Sequence, residues 1–512
     1  MLNGITINKG QGGLGRPLEG TDYISGLLFY TDATLPSGFT STDRIKTVYS
    51  VANAVSLGIT NASLGETKAV AKAVVAGTPA AGDTVQLSYL GINGSVIYLP
   101  TYTLTSADAV STTTAAAAIA AAVNAQTINY GFTGTNSTSS LLVTTKPGEG
   151  IFPNSGTPFS STVTGGTTLT WTQPTGSGST VLGVASDIDI LYYHISEYFR
   201  LQPKGKLFVG CYATADFGTF ASITLMQNFA QGKIRQMLVY QKGSAFATSQ
   251  CNAIQSVCTT LETNHKPIWN VILSGEISGT SDVNTISTNL HALSDPNVSV
   301  CIGQDGAAQG YKLFKATGKS ITNGGEMLGA VSLSQVNESI AWFGKFQVAS
   351  TELDTIAFAN GQEFTTVADG TVTNLDTYGF CFLRKVFGLI GSYHNRPYTC
   401  TAITSDYAFV YSNRVIYKCI ENVRTTVLPA VASPVKFNTD GTLSGDSVNY
   451  FKTLAAQGLD TVLNANEISA YETIIDPAQN VLSTNTLEIT VKILPLGVAD
   501  FITINIGFTT TL

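Results

Sequence analysis

Between Asp187 and Val336 short apolar runs alternate with helix-length segments, and this alternation leaves few folds open. "IDILYYHISEYFRL" reads as a helix, "KLFVGCY" as a strand, "TFASITLMQNFAQ" as a helix and "IRQMLVYQ" as a strand. "ATSQCNAIQSVCTTLE" follows as a helix with Cys251, Ile254, Cys258 and Leu261 on one face. Then come a strand "PIWNVIL", a helix "DVNTISTNLHAL" and a strand "VSVCIG". Strands separated by helices predict a largely parallel sheet with helices on both faces. The strands are mostly apolar, as burial on two faces requires. The run "SGLLFYT" near residue 27 is a further strand of this core.

A segment of different character interrupts the core. Between Ala73 and Ser186 the only charged residues are Asp83, Asp108, Lys146 and Glu149. "AGDTVQLSYLGINGSVIYLPTYTL" predicts a hairpin turning at Asn93-Gly94. "STTTAAAAIAAAVNAQ" predicts one Ala-rich helix with Ser or Thr at its cap, and "SSLLVTTKPGEG" and "TTLTWT" further strands. Gly/Ser/Thr-rich seams at "SGTPFSS" and "QPTGSGST" mark this as a β-rich insertion.

In the last third, "TSDYAFVYSNRVIYKCIENVRTTVLP" is the strongest helix signal, capped by Ser405 or Asp406 and stopped by Pro429. Its expected buried stripe is Phe409, Ile416, Ile420, Val423 and Val427, leaving Arg414 and Lys418 on the solvent side. A second helix, "DSVNYFKTLAAQG", is expected to end at Gly458. A strand "ISAYETII" precedes two more, in which Leu487, Ile489, Val491 and Ile493, and then Ile502, Ile504, Ile506 and Phe508, recur at period two. No internal cover is evident for that apolar face, and an unpaired edge calls for a partner. Ile5 and Ile7 alternate in the same way near the start.

Charge and motifs exclude several classes. Only 12% of residues are charged, and the net charge is −7, which speaks against a nucleic-acid binder. The stretch Cys381–Lys436 nevertheless holds seven basic residues against Asp406 and Glu421. No signal peptide and no membrane span is read. Seven scattered cysteines without a C-x-x-C pair read as reduced, buried thiols. His194, His265, His291 and His394 have no metal-ligand spacing, so no metal, cofactor or catalytic residue is expected. Gly10, Gly12 and Gly15 spell G-x-G-x-x-G, but Arg16-Pro17 follows instead of a helix, so a hinge is expected there. "GQDGAAQG" after "VSVCIG" lacks the Lys or Ser/Thr of a phosphate loop and reads as a turn, with Asp305 as its cap.

The segment "TLEITVKILPLGVADFITINIGF" resembles the end of contractile-tail sheath proteins. "YSNRVIYKCIENVR" is similar to that family's helix ahead of the final strand, and "YGFCFLRKVFGLIGSYHNRPYT" to the segment before it. The resemblance is best over 375–512 and looser over 185–370; the 68–175 unit resembles small outward insertions of tail proteins. The low charge and a short N-terminal arm depart from the family pattern. The resemblance implies a structural subunit, not an enzyme, that polymerises in hexameric rings around an inner tail tube and drives it through a cell envelope on contraction. Its implied partners are copies of itself, the tube protein, and baseplate and terminator proteins, without nucleic acid or stable membrane insertion. Its implied location is a virion tail assembled in a bacterial cytoplasm.

The expected fold is mixed α/β and α+β and multidomain. It has an arm (1–20), a mainly parallel α/β core (21–67 and 176–375), an inserted β-rich outer domain (68–175), a C-terminal domain (376–485) and terminal strands (486–512). Ile5, Ile7, Leu487, Ile489, Val491, Ile502, Ile504, Ile506 and Phe508 are the expected inter-subunit strand residues, and Arg414, Lys418 and Arg424 the expected tube-facing ones. The alternative from another class is an α/β hydrolase-like enzyme with a β-rich accessory domain.

Overall fold

The computed structural model describes residues 20–349 and 353–504, together with Ile506 and Phe508. The expected arm strand at Ile5 and Ile7, and the Gly10–Gly15 motif, lie outside the described residues.

Five parallel strands form the centre of the molecule, in the order Val298–Cys301, Asn270–Ser274, Gln236–Gln241, Ile24–Tyr30, Lys206–Tyr212. A sixth, Ile45–Val48, adds antiparallel to the last. All seven residues of the Ile24–Tyr30 strand are buried. Its side chains alternate between two clusters: Leu28 and Tyr30 pack with Ile223, Met226, Ile254 and Leu261, while Leu27 and Phe29 pack with Ile190, Ile195, Met327 and Val331. The fold is thus the mixed, multidomain α/β architecture read from the alternating pattern.

The segment expected as the helix "DVNTISTNLHAL" is instead two short 3-10 turns, Val283–Thr285 and Leu290–Ala292. The Asp282 side chain accepts from the Asn284 amide and the Asn289 side chain from the His291 amide. Such local side-chain bonds compete with the helical ladder and fold the stretch into turns.

Residues 70–172 build two antiparallel sheets around their own core, made of residues such as Val75, Val85, Tyr89, Ile119, Leu141 and Phe159. The Thr112–Ala125 helix starts at Ser111, whose hydroxyl and the Thr114 side chain make a reciprocal capping box. The chain enters and leaves this unit side by side, through antiparallel bridges Thr67–Val184 and Val70–Val181.

Two core helices, Asp187–Leu201 and Gly324–Leu333, cross at contact distance: a Cβ on Gly325 would sit 2.4 Å from the His194 carbonyl oxygen. His194 is fully buried against Tyr240, ring centroids 4.9 Å apart, and neither ring nitrogen has a hydrogen-bond partner. Burial pushes its pKa down to about 3. The unfolded chain therefore takes up a proton near pH 6.5 that the folded chain refuses until about pH 3. This stability is complete above about pH 6.5 and is lost as pH falls, by about 1.4 kcal/mol per unit. His194→Phe keeps the ring contact and removes the proton site. Its urea midpoint is expected to fall less than the wild type's between about pH 7 and about pH 4.5.

Candidate assembly site

The long helix of the last third runs from Val410 to Val427, so Ser405 and Asp406 do not cap it. The preceding residues are drawn into extended pairing: Tyr398 bridges Phe409, and the Thr399 amide donates to the Ala408 carbonyl at 3.0 Å. Ser405 accepts instead from the Tyr407 amide in a local turn.

Arg414, expected on a solvent-facing basic side, is 1% exposed. Its Nη1 donates to Ser334 Oγ at 2.6 Å and to the Gln335 carbonyl at 3.1 Å, and its Nη2 to the Ser334 carbonyl at 3.2 Å. Ser334 ends the Gly324–Leu333 helix, so the guanidinium caps the negative end of a neighbouring helix. Burial lowers its pKa to about 10, leaving it charged at neutral pH. Lys418 is also engaged within the subunit, 2.6 Å from Asp22 Oδ2 and 2.7 Å from Glu467 Oε1. Burial alone would lower its pKa, but the two carboxylates outweigh it and hold the ammonium above its ordinary value. Glu421 pairs with Arg235, whose guanidinium lies 5.0 Å from the Trp269 ring. Arg424 alone of the three expected tube-facing residues has an exposed side chain.

The helix is packed on two sides, which a single apolar stripe could not reveal. Asn413, Arg414 and Tyr417 face the body, while Ile416, Cys419 and Val423 share a cluster with Leu459 and Val462 of the Gly445–Asn464 helix. Ile420, expected in the buried stripe, is 49% exposed. Gly458 does not end its helix but lies inside it. A Cβ there would sit 2.8 Å from the Asn422 carbonyl, so the glycine lets two backbones touch.

Beyond these helices the Ile468–Ile474 and Thr490–Pro495 strands form a two-stranded antiparallel sheet, running from Ile474 opposite Thr490 to Ile468 opposite Pro495. Val491 and Ile493 pack against the cluster that the Val410–Val427 and Gly445–Asn464 helices share. Leu487 and Ile489 pack near Phe451 and Ile475. This corrects the expectation that the face of Leu487, Ile489 and Val491 is uncovered: their side chains are used inside the subunit. Among the described residues, neither outer edge of this sheet has a ladder partner.

After Pro495 the chain leaves the sheet. Asp500 forms an ion pair with Arg396, and Phe501 lies beneath the same guanidinium. From there Ile502, Ile504, Ile506 and Phe508 stand in solvent at 79, 74, 91 and 112% exposure.

The residues weighed for chemistry sit apart. His394 bonds Glu326 at 3.0 Å, His291 bonds the Thr401 carbonyl at 2.7 Å, and Asp305 caps the Gln309–Thr317 helix by accepting from the Ala307, Ala308 and Gly310 amides. Among the described residues no group of three or more His, Cys, Asp or Glu is placed to hold a metal, and no helix is long and apolar enough to cross a membrane.

Residues 406–512 match the family described as "DUF2586, C-terminal domain". No curated protein matches. Among solved structures, the chain is similar to the helical sheath of the anti-feeding prophage in its contracted state, at 14% identity and a TM-score of 0.45, over 62% of this chain and 81% of that one. It is also similar to a sheath tail protein from Desulfitobacterium hafniense, at 10% identity and a TM-score of 0.37, over 96 and 100%. A third, a sheath tail protein from Listeria innocua, matches at 8% identity and a TM-score of 0.38, over 94 and 97%.

Proposed function

We propose that this chain is a structural sheath-type subunit that polymerises by giving a strand to a neighbouring copy. The observation that carries this reading is the stripe Ile502, Ile504, Ile506 and Phe508, alternating at period two and 74–112% exposed. Four large apolar side chains exposed at period two in the sequence are costly in water and suit the donor half of a β-augmentation joint. The receiver half is the two-stranded sheet of Ile468–Ile474 and Thr490–Pro495, whose outer edges offer main-chain groups. One subunit thus holds both halves of a heterologous contact, which propagates from copy to copy.

In this reading the partners are further copies in hexameric rings, an inner tube that Arg424 contacts, and baseplate and terminator proteins at the ends. The particle is a virion tail or a related injection device, built in a bacterial cytoplasm. The 68–175 unit projects outward, because its own core and its paired entry and exit strands let it extend without disturbing the central sheet. The enzyme alternative is kept as the competing outcome of the test that follows. Negative-stain microscopy of the purified protein tests the reading: tubes or stacked rings are expected, and monodisperse monomers at high concentration would overturn it.

A further inference from the structure

The point where the exposed stripe leaves the body is held by one residue. Arg396 Nη2 lies 3.1 Å from Asp500 Oδ2. Its guanidinium carbon lies 4.6 Å from the centroid of the Phe501 ring. Arg396 is itself positioned: Nη1 donates to the Tyr398 hydroxyl at 3.2 Å, and that hydroxyl donates to Asp376 Oδ2 at 3.1 Å. The Tyr398 ring stacks on Phe409, centroids 5.6 Å apart, at the start of the Val410–Val427 helix. The bound segment lines a cavity of about 780 Å³ together with Trp342, Phe343 and Arg384.

We propose that Arg396 is an anchor for the Asp500–Phe501 element, setting the point at which the 502–508 segment leaves the subunit toward a second copy. This rests on the assembly reading above. The contact does not act by hiding the apolar residues, because Ile502, Ile504, Ile506 and Phe508 are 74–112% exposed while it is made. What it removes is slack. The strand ladder ends at Pro495, and a free coil of six residues from there would wander over about 12–15 Å. Phe501 is itself 83% exposed, so the hold comes from the Asp500 ion pair and the guanidinium–ring contact; these shorten the free coil and narrow the position from which the donor strand enters its receiver. A flat guanidinium suits the task, since it can pair with a carboxylate and stack on a ring at once.

The test uses full-length protein. All seven native cysteines are buried, so a spin label placed by Val498→Cys reports on the root alone. In the unassembled subunit the label is expected to be restricted in wild type and mobile with Arg396→Gln or Asp500→Asn. Arg396→Lys is expected to fall between them. The critical concentration for polymer formation is expected to rise about threefold to tenfold with Arg396→Gln, as loss of an ion pair and a cation–π contact implies. Arg396→Asp combined with Asp500→Arg is expected to restore much of both readouts. Equal label mobility in wild type and Arg396→Gln would overturn the contact. A loosened label with unchanged critical concentration would overturn the anchoring role. Failure of wild type to polymerise would instead sink the assembly reading, while label mobility still decides the contact.

Discussion

A subunit cut after Phe501 is expected to fold and unfold as the intact chain does, and to form no polymer. Among the described residues removed, none is in a strand ladder, and Ile502, Ile504, Ile506 and Phe508 are 74–112% exposed, so the core is expected to lose little. Cutting instead after Asn485 is expected to behave differently. That truncation takes away the Thr490–Pro495 strand and with it Leu487, Ile489, Val491 and Ile493, each partly buried against the body. At about 1 kcal/mol for each half-buried side chain, the loss is on the order of 4 kcal/mol, enough to loosen the Ile468–Ile474 strand and the two helices above it. Circular dichroism and urea unfolding separate the two cuts, and sedimentation reads polymer. Polymer from the shorter truncation, or an early-unfolding species from it, would remove the 502–508 segment from its assembly role.

The contrast between the two cuts also marks what was legible in the sequence. Period-two alternation marked both stretches as apolar-faced; in the first, Val491 and Ile493 pack into one cluster and Leu487 and Ile489 into another. It could not say that Val491 and Ile493 find cover against the cluster shared by the Val410–Val427 and Gly445–Asn464 helices, because that cluster joins elements far apart along the chain. The parallel core was readable for a local reason: each strand of it is buried on both faces and so is mostly apolar, with Ser25, Gln236, Asn270 and Ser299 as buried polar exceptions. The hinge-side chemistry was not. Gly458 has the look of a helix stop, and only the approach of Asn422 explains a glycine inside a helix. Asp282 and Asn289 turned a helical pattern into two turns with hydrogen bonds reaching two residues. The basic stretch misled most. Its charges pointed to a surface, yet Arg414 and Lys418 are consumed by Ser334, Asp22 and Glu467, partners scattered over the chain.

Arg414→Glu is therefore expected to be severely destabilising, whereas Arg424→Glu on the same helix is expected to stay within about 0.5 kcal/mol of wild type. Arg414 is 1% exposed and supplies three hydrogen bonds to Ser334 and Gln335. Removing it leaves those acceptors buried without donors, at about 1–3 kcal/mol for each group not rescued by water. A carboxylate in its place faces the carbonyl end of the Gly324–Leu333 helix and the field of Glu338 and Glu467, all of the wrong sign. A total above about 4 kcal/mol is expected, which places the variant among the exceptional substitutions. Arg414→Met distinguishes the terms: it keeps the packing volume of the stem and adds no negative charge, so it is expected to cost about half as much. Urea midpoints of the three variants, measured on unassembled subunits, give the order Arg424→Glu, Arg414→Met, Arg414→Glu from mildest to most severe. If Arg414→Glu unfolds at the wild-type midpoint, the guanidinium lies in solvent and the seating of this helix on the body is wrong.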